Sequence, residues 1–443
     1  MSPPDGIDLT RPQFVGAKVL RREDPRLLAG QGNYVADIKR HGMLHIAFRR
    51  SDHAHALIKS LDVSEARALE GVVAVYTGAD IARLANPYQA TSRMKNYQAT
   101  FIPPLALDKV RYVGEAVVAI VANSRYVAED ALARVNIDYE ALRVLVDPED
   151  ALKPDAPKLH NDLESNILAA REFSRGEVDE AFAAAAQTAG GRFHFTRTTP
   201  VTIEARASVA EYDKGARTLT LHCTTQIPGI VRDKLSEIFD LPGPRIRVIA
   251  PDVGGGFGGK TSLYSEEIVA CAIARDLGKP VKWVSDRMED LMTTGNAFDE
   301  IVDAEIAVDA EGKILAVKAD VIGDVGAYSI YPWTATIEPV QVVSFLPGPY
   351  RIDNYAARVR AVATNKTLTG AYRGVGRPIS VFVMDRLLDM AARKIGMDPA
   401  EIRRRNLVND DEFPYKAASG LVWDKSAFQA CLRQAADGIG YDD

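Results

Sequence analysis

The stretch Val248–Thr261, VIAPDVGGGFGGKT, decides how this chain is interpreted. Its glycines, with Lys260 and Thr261, satisfy the phosphate-loop pattern G-x-x-x-x-G-K-[ST]. The flanking sequence predicts a strand over 245–250 and a helix over 265–277. Successive backbone N–H groups in a glycine turn at a helix N-terminus favour a phosphate or another anionic oxygen. The stretch therefore predicts an anion-binding loop, with a tight turn that binds nothing as the alternative.

A nucleotide triphosphatase is one protein class that carries such a loop, but two features disfavour it here. Pro251 and Asp252 separate the predicted strand from the first glycine. Downstream, no short apolar strand ends in the aspartate that would help to hold magnesium, since Asp320 and Asp324 lie in an alternating, half-exposed pattern. The motif matches while its surroundings do not.

Composition narrows the range of partners. The 443 residues are too many for one core and predict two or three domains. A net charge of -6 disfavours nucleic acid and anionic lipid as partners and leaves a small-molecule substrate open. No stretch is apolar enough for a membrane span, and residues 1–11 lack the apolar core of an export signal, so we expect a cytoplasmic protein. Three widely spaced cysteines provide no local iron–sulfur or zinc motif.

The order of predicted elements indicates an α+β fold. An apolar strand over 114–122, a helix capped by Ser124 and a second strand around 135–139 come first. The proline-containing segment 147–159 is predicted to link two domains. Beyond it the pattern predicts a short helix over 178–189 ended by two glycines, and then strands and helices in mixed order.

Two further elements are candidates for a site. The sequence TLTGAYRGVGRP at 367–378 places Arg373 between glycines, which allows close backbone approach and leaves the guanidinium group free to pair or stack. Gln226 follows a predicted strand and precedes a helix. Each feature alone is more typical of a turn with a surface charge or of a solvated amide.

Taken in order, these elements resemble the large, molybdopterin-binding subunit of the molybdenum hydroxylases, the family of xanthine dehydrogenase, aldehyde oxidase and aerobic carbon monoxide dehydrogenase. The motifs that carry the resemblance are RREDPRLLAGQGNYVADI (21–38), VRYVGEAVVAIVANSRYVAEDALARVNIDYEAL (110–142), TTQIPGIVRDKL followed by IRVIAPDVGGGFGGK, and GAYRGVGRP. The resemblance implies an N-terminal extension and a small α/β hammerhead domain over 1–150. It implies the first half of a mixed α+β molybdopterin-binding domain over 151–443.

The resemblance also implies roles for individual residues. Gln226 matches an amide that hydrogen-bonds an oxygen ligand of molybdenum, and Arg373 matches an arginine close to the same centre. The backbone segment that lies against the metal and the pterin corresponds to Gly255, Gly256, Phe257 and Gly258. None of these is a direct metal ligand, because in the family the pterin dithiolene holds the metal and the protein orients its surroundings.

The activity implied by the resemblance is oxidative hydroxylation of an aldehyde or an N-heterocycle with oxygen derived from water. Electrons would pass to a small 2Fe–2S subunit and a medium FAD-binding subunit, since this chain lacks cluster ligands. The implied cofactor is molybdopterin, either as the mononucleotide or as its cytosine dinucleotide.

Some positions depart from the family pattern. The second loop has no cysteine after Arg373, which disfavours the copper-containing site of carbon monoxide dehydrogenases. Thr261 and Val375 stand where purine hydroxylases have a glutamate and an aromatic residue, and both are candidates for the substrate pocket. Glu204 resembles a family acidic position but lies in a poorly matching motif, so a solvated strand residue is an equal alternative.

Length is the largest departure, because the family's large subunit continues well beyond the point that matches Asp443. The general-base glutamate is expected in that second half, so no catalytic base is assigned within this chain. Three hypotheses follow: a catalytic subunit completed by another chain that supplies the rest of the domain, a truncated cofactor-binding or assembly protein, and a nucleotide triphosphatase.

Overall fold

The computed structural model describes residues 17–441, which form an α+β fold as the sequence predicts. Residues 1–11, for which no export signal is predicted, lie outside this range. Among the described residues, every helix is too short or too polar to cross a membrane.

Seventeen strands are found in the described part of the chain. They are β1 (Leu44–Arg50), β2 (Ala56–Asp62), β3 (Val72–Thr77), β4 (Lys109–Val110), β5 (Ala116–Ala122), β6 (Asn136–Ala141), β7 (Ile167–Arg175), β8 (Gln187–Phe195), β9 (Ala207–Asp213), β10 (Thr218–Cys223), β11 (Ile246–Ile249), β12 (Val281–Val284), β13 (Glu300–Val308), β14 (Ile314–Gly326), β15 (Asn354–Ala363), β16 (Tyr415–Lys416) and β17 (Val422–Trp423).

Thirteen α-helices lie within the same residues. They are α1 (Asp24–Leu28), α2 (Ser64–Ala68), α3 (Gly78–Ile81), α4 (Arg125–Leu132), α5 (Pro148–Ala151), α6 (Val178–Ala183), α7 (Pro228–Phe239), α8 (Ser265–Leu277), α9 (Arg287–Thr293), α10 (Pro339–Phe345), α11 (Arg377–Ile395), α12 (Pro399–Asn406) and α13 (Phe428–Ile439).

A seven-stranded sheet in the order β11-β10-β9-β12-β1-β5-β3 forms the first layer. Helix α8 packs against its β9, β10 and β12 strands, and residues 266–274 of this helix are buried without interruption. The sheet draws strands from both sides of the predicted boundary at residue 150, and the division into domains 1–150 and 151–443 remains a prediction. At one edge β10 and β11 run parallel, so both strands end on the same side.

A second sheet of five strands has the order β7-β15-β14-β13-β8. Helix α11 packs across β8 and β13, and α10 packs across β14 and β15. Two small sheets, β4-β2-β6 and β16-β17, complete the described structure. The loop after β15 leaves the second sheet and leads directly into α11, which brings residues 364–376 to the end of the first sheet.

Local signals in the sequence position several helix ends correctly. The Ser124 side chain caps α4 by accepting the N–H of Val127, and Asp398 caps α12 by accepting the N–H groups of Ala400 and Glu401. Helix α8 ends at Gly278, which has a left-handed φ of 65°. Such caps depend on residues close in sequence, and this explains why they are predictable.

The predicted helix over 178–189 is wrong in its second half. Helix α6 ends at Ala183, and the two glycines at 190–191 lie inside strand β8. A Cβ atom on Gly190 would stand 2.7 Å from the carbonyl oxygen of Ala304 on the neighbouring strand β13. The glycine therefore allows close strand approach and does not end a helix.

Candidate functional site

Two of the predicted site elements leave the first sheet side by side. Gln226 follows β10, and the glycine loop 250–264 follows β11. Because these adjacent strands are parallel, their carboxyl ends meet at one edge. The side-chain Oε1 of Gln226 accepts the N–H of Gly258 over 3.1 Å. This bond uses the amide oxygen, and no acceptor is found for Nε2 within residues 17–441, so Nε2 is available as a donor.

The second loop comes from the other sheet and closes the same site. The N–H of Arg373 donates to the carbonyl oxygen of Phe257 over 2.8 Å. A Cβ atom on Gly258 would stand 2.6 Å from the carbonyl carbon of Ala371, so only glycine allows the two loops to approach this closely. The structure thus brings Gln226, the glycine loop and the backbone of Arg373 together, while their roles toward a cofactor stay a prediction.

The glycine loop presents a row of backbone donors. Within residues 17–441 no acceptor is found for the N–H groups of Gly255, Gly256 and Phe257. The Phe257 side chain is 48% exposed, and its φ of 50° lies in the left-handed region. Backbone strain and unpaired N–H groups in an accessible loop are typical of a ligand-binding segment.

Lys260 does not point toward these donors. Its side chain is buried, and Nζ donates to the Glu204 carbonyl oxygen at 2.8 Å and to Glu204 Oε2 at 3.0 Å. Burial lowers the pKa of Lys260, and the Glu204 carboxylate opposes that effect. A phosphate-loop lysine must reach the phosphates of the nucleotide, whereas the Lys260 ammonium group is hydrogen-bonded to Glu204 in the protein interior. The geometry thus disfavours the triphosphatase interpretation.

Glu204 has a larger structural role than the sequence indicates. Besides pairing with Lys260, its Oε2 accepts the N–H of Gly254 over 2.7 Å. It therefore anchors the first glycine of the loop, and the alternative of a solvated strand residue is wrong. Pairing of a glutamate with a lysine 56 residues away leaves no periodic signal in the sequence.

The N-terminal segment fixes the start of the loop. Arg26 donates two hydrogen bonds of 2.6 Å to the carboxylate of Asp252, which also accepts the N–H of Asn33 over 2.8 Å. The bond from Arg26 is the main reason that the pKa of Asp252 falls to about 2. In the sequence Asp252 is only an interruption of the phosphate-loop pattern, and its partner Arg26 is too distant along the chain to be recognised.

The end of the loop rests on Tyr264. Its hydroxyl group donates to the carbonyl oxygen of Gly259 over 2.6 Å and accepts the N–H of Gly295 over 3.0 Å. The guanidinium group of buried Arg206 lies 3.9 Å from the centre of the Tyr264 ring. Arg206 also forms a salt bridge with Glu266, so a buried charge network supports the end of the loop through Tyr264.

The two substrate-pocket candidates lie within these loops, Thr261 in the glycine loop and Val375 in the second loop. The Thr261 hydroxyl donates to the Gly258 carbonyl oxygen over 2.5 Å, and the indole N–H of Trp333 donates to that hydroxyl over 3.0 Å. Val375 has a left-handed φ of 53° in the second loop. Hydrogen bonds inside the protein therefore occupy the Thr261 hydroxyl, while a role in substrate binding stays a prediction for both residues.

Comparison with known proteins gives two family matches. Residues 29–143 match the aldehyde oxidase and xanthine dehydrogenase a/b hammerhead domain, and residues 159–407 match the molybdopterin cofactor-binding domain. The chain is 39% identical to the carbon monoxide dehydrogenase large chain of Afipia carboxidovorans over 97% of its own length and 54% of that protein. It thus spans about half the length of this relative.

Two further similarities differ in coverage. The chain is 30% identical to the nicotinate dehydrogenase large molybdopterin subunit of Eubacterium barkeri, over 97% of its own length and 98% of that protein. The crystal structure of quinoline 2-oxidoreductase from Pseudomonas putida 86 superposes with a TM-score of 0.94 at 38% identity, covering 96% of this chain and 54% of that one.

Proposed function

The chain belongs to the aldehyde oxidase and xanthine dehydrogenase family of molybdopterin-binding proteins, and we propose that its two loops and Gln226 hold molybdopterin in a molybdenum hydroxylase. The observation that carries the proposal is the convergence of donors. Three consecutive unpaired N–H groups, the Gln226 Nε2 and the exposed Arg373 all belong to one site.

This donor set fits the chemistry of the cofactor. Molybdopterin carries an anionic phosphate or pyrophosphate and oxygen ligands on its metal, and all of these accept hydrogen bonds. A Cβ atom on Gly256 would stand 2.5 Å from the side-chain carbon Cδ of Gln226, so glycine at this position allows the Gln226 amide to lie directly against the loop. When bound, molybdopterin supplies the redox chemistry of oxidative hydroxylation.

The residues of this chain would bind and orient the cofactor. Gln226 Nε2 would donate to an oxygen at the metal, and its position is fixed because Oε1 already accepts the Gly258 N–H. Arg373 would add positive charge beside the glycine loop, held there by the bond from its N–H to Phe257. Since these groups are positioned before the cofactor arrives, little reorganisation accompanies binding.

Catalysis requires groups that we place elsewhere. We infer that the general-base glutamate lies in the second half of the large subunit, either on a separate chain or on a continuation of this one. A small 2Fe–2S subunit and an FAD-binding subunit would carry the electrons away. The cytosine dinucleotide form of the cofactor and a cytoplasmic location are parts of the same proposal.

The substrate would be an aldehyde or an N-heterocycle. No cysteine lies in the second loop, so a copper-containing site is disfavoured despite the 39% identity to a carbon monoxide dehydrogenase large chain. Thr261 and Val375 disfavour a purine held by a glutamate and an aromatic ring.

The test is metal and pterin analysis of the chain expressed with its genomic neighbours. We expect molybdenum and pterin to co-purify with the parent protein and to be lost from Phe257→Ala. Phe101→Ala is the matched control, because Phe101 is a comparably exposed phenylalanine at 54% and lies in a different loop. A complex that contains all subunits but no molybdenum would favour the non-catalytic assembly protein instead.

A further inference from the structure

Two buried carboxyl groups lie behind the second loop without the partners that such groups need. Glu300 begins strand β13 and Glu338 directly precedes helix α10, and each is only 1% exposed. Both oxygens of Glu300 and Oε1 of Glu338 lack a hydrogen-bond partner among residues 17–441. Leaving buried polar groups unpaired is costly, so three such oxygens in one place require an explanation.

The two side chains belong to one cluster. At Gly323, a Cβ atom would stand 3.5 Å from Glu300 Oε1 and 2.8 Å from Cβ of Pro339, the residue that follows Glu338. Phe298, two residues before Glu300, donates its N–H to Glu338 Oε2 over 2.7 Å. Strand β13 and the start of α10 therefore meet at this point.

The two neighbouring cationic side chains do not neutralise the glutamate pair, because both already form salt bridges with two aspartates. The contacts are Arg197 Nε to Asp299 at 2.9 Å, Arg197 to Asp324 at 3.3 Å, and Lys366 Nζ to Asp299 and to Asp324 at 2.8 Å each. Two positive charges thus face two aspartates and two glutamates. If all four carboxyl groups were ionised, two buried negative charges would remain uncompensated.

The pair is connected to the candidate site through Phe298. Both Phe298 and Asp299 have left-handed backbones, with φ values of 65° and 74°. Two successive non-glycine residues in this region need support from their surroundings. The Glu338 carboxyl provides it through the Phe298 N–H. The Phe298 ring packs edge-on against Tyr372, with ring centres 6.0 Å apart, and Tyr372 immediately precedes Arg373.

A second contact joins Glu338 to the same loop. A Cβ atom on Gly376 would stand 2.6 Å from the Glu338 carbonyl oxygen, so the end of the second loop lies directly on this residue. The loop is therefore in contact with Glu338 at its backbone, and with Phe298 at the Tyr372 ring.

We propose that Glu300 and Glu338 together retain at least one proton at neutral pH, and that this acid pair is a positioning device for the second loop. The role of Arg373 in cofactor binding rests on the proposed function, whereas the protonation of the pair does not. Glu338 is a positioning residue here, since it acts on Arg373 through Phe298 and Tyr372.

The charges around the pair give the direction of its pH dependence. Burial raises the pKa of Glu338 to about 8; the Phe298 N–H and Arg197 oppose that effect, and Asp299 adds to it. Burial, then Glu338 and then Asp299 raise the pKa of Glu300 well above its usual range. Asp324 and Lys366 complete the charged groups of the cluster. Raising the pH should therefore remove protons from the pair and loosen the segment 296–300 together with the second loop.

Hydrogen–deuterium exchange on the assembled complex tests the proposal without any requirement for activity. Peptides covering 296–300 and 370–376 are followed between about pH 6 and pH 10, after correction for intrinsic exchange rates. We expect protection of both segments in the parent protein to fall by about tenfold across this range. The double variant Glu300→Gln/Glu338→Gln has no titratable group at either position and should keep its protection at high pH, and each single glutamine variant should lose less protection than the parent.

Two variants serve as controls. Glu305→Gln lies on the same strand β13 with an exposed side chain and should titrate like the parent. Glu338→Leu removes the acceptor for the Phe298 N–H and should deprotect both segments at every pH. If that variant does not fold, the two glutamine variants still decide the question.

Three results would overturn the proposal: corrected protection that is independent of pH in the parent, glutamine variants that titrate as the parent does, or exchange that changes at 296–300 while 370–376 stays unaffected. Infrared spectroscopy is a second readout. A protonated carboxyl band at neutral pH that is lost in the double variant Glu300→Gln/Glu338→Gln supports the pair, and a spectrum that is the same in the parent and the double variant contradicts it. If the protein proves to contain no molybdenum, the exchange result is unaffected, so the two proposals fail separately.

Discussion

Replacing Lys260 with methionine distinguishes a structural lysine from a nucleotide-binding one. Methionine approximates the length of the side chain but cannot compensate the Glu204 carboxylate, which would remain nearly buried with an exposed fraction of 13%. Removing one partner of a buried ion pair costs about 3–5 kcal/mol, because the other charge stays uncompensated. The bond from Gly254 to Glu204 Oε2 remains possible, so we place Lys260→Met toward the lower end of that range.

Urea unfolding of the parent and the variant measures this loss. Lys279→Met is the control, since Lys279 is exposed just beyond the end of α8 and its loss should change the unfolding free energy by less than about 0.5 kcal/mol. Adding Glu204→Gln to Lys260→Met should recover part of the loss, because the neutral amide still accepts the Gly254 N–H. The reasoning is refuted if Lys260→Met is as stable as the parent and abolishes tight binding of ATP.

Three other predictions concern the site and its surroundings. Gln226→Ala should reduce turnover of the assembled enzyme by about 10–100-fold while costing only about 1 kcal/mol of stability, the value of its bond to Gly258; equal turnover would contradict this. Phe257→Ala should reduce molybdenum content with little change in stability, because its ring is half exposed, and equal metal content in variant and parent would contradict it. For Glu338, whose folded pKa of about 8 lies above the unfolded value, the stabilising contribution is complete below about pH 4.5 and is lost as pH rises through 8. Across this range the free energy of unfolding should fall more steeply with pH in the parent than in Glu338→Gln, by up to about 1.4 kcal/mol per pH unit, and identical profiles would count against the assignment.

Sequence patterns predicted the elements that depend on near neighbours. The helix over 265–277 and the helix capped by Ser124 follow from residues within one or two turns. The helix end predicted at glycines 190–191 is wrong, because a glycine that ends a helix and one that allows a neighbouring strand to approach look the same in sequence. Strand pairing between residues more than 100 positions apart determines which of these two roles a glycine has.

The residues of the candidate site were predicted from a family resemblance. Neither sequence patterns nor composition predicted the geometry of the site. The phosphate-loop pattern could not tell that Lys260 turns inward, because its partner Glu204 is distant in sequence. The clamp from Arg26 to Asp252 and the acid pair of Glu300 and Glu338 are likewise long-range contacts. Such groups become recognisable only when the fold shows which charges are buried together.

We propose that the unpaired N–H groups of the glycine loop face a pterin-held molybdenum atom. Anomalous diffraction at the molybdenum edge, from crystals of the assembled complex, locates that atom directly. We expect a single strong peak beside the Gln226 amide and between the two loops. A peak at another place in the complex, or a nucleotide triphosphate bound at the glycine loop with no molybdenum peak, would contradict it.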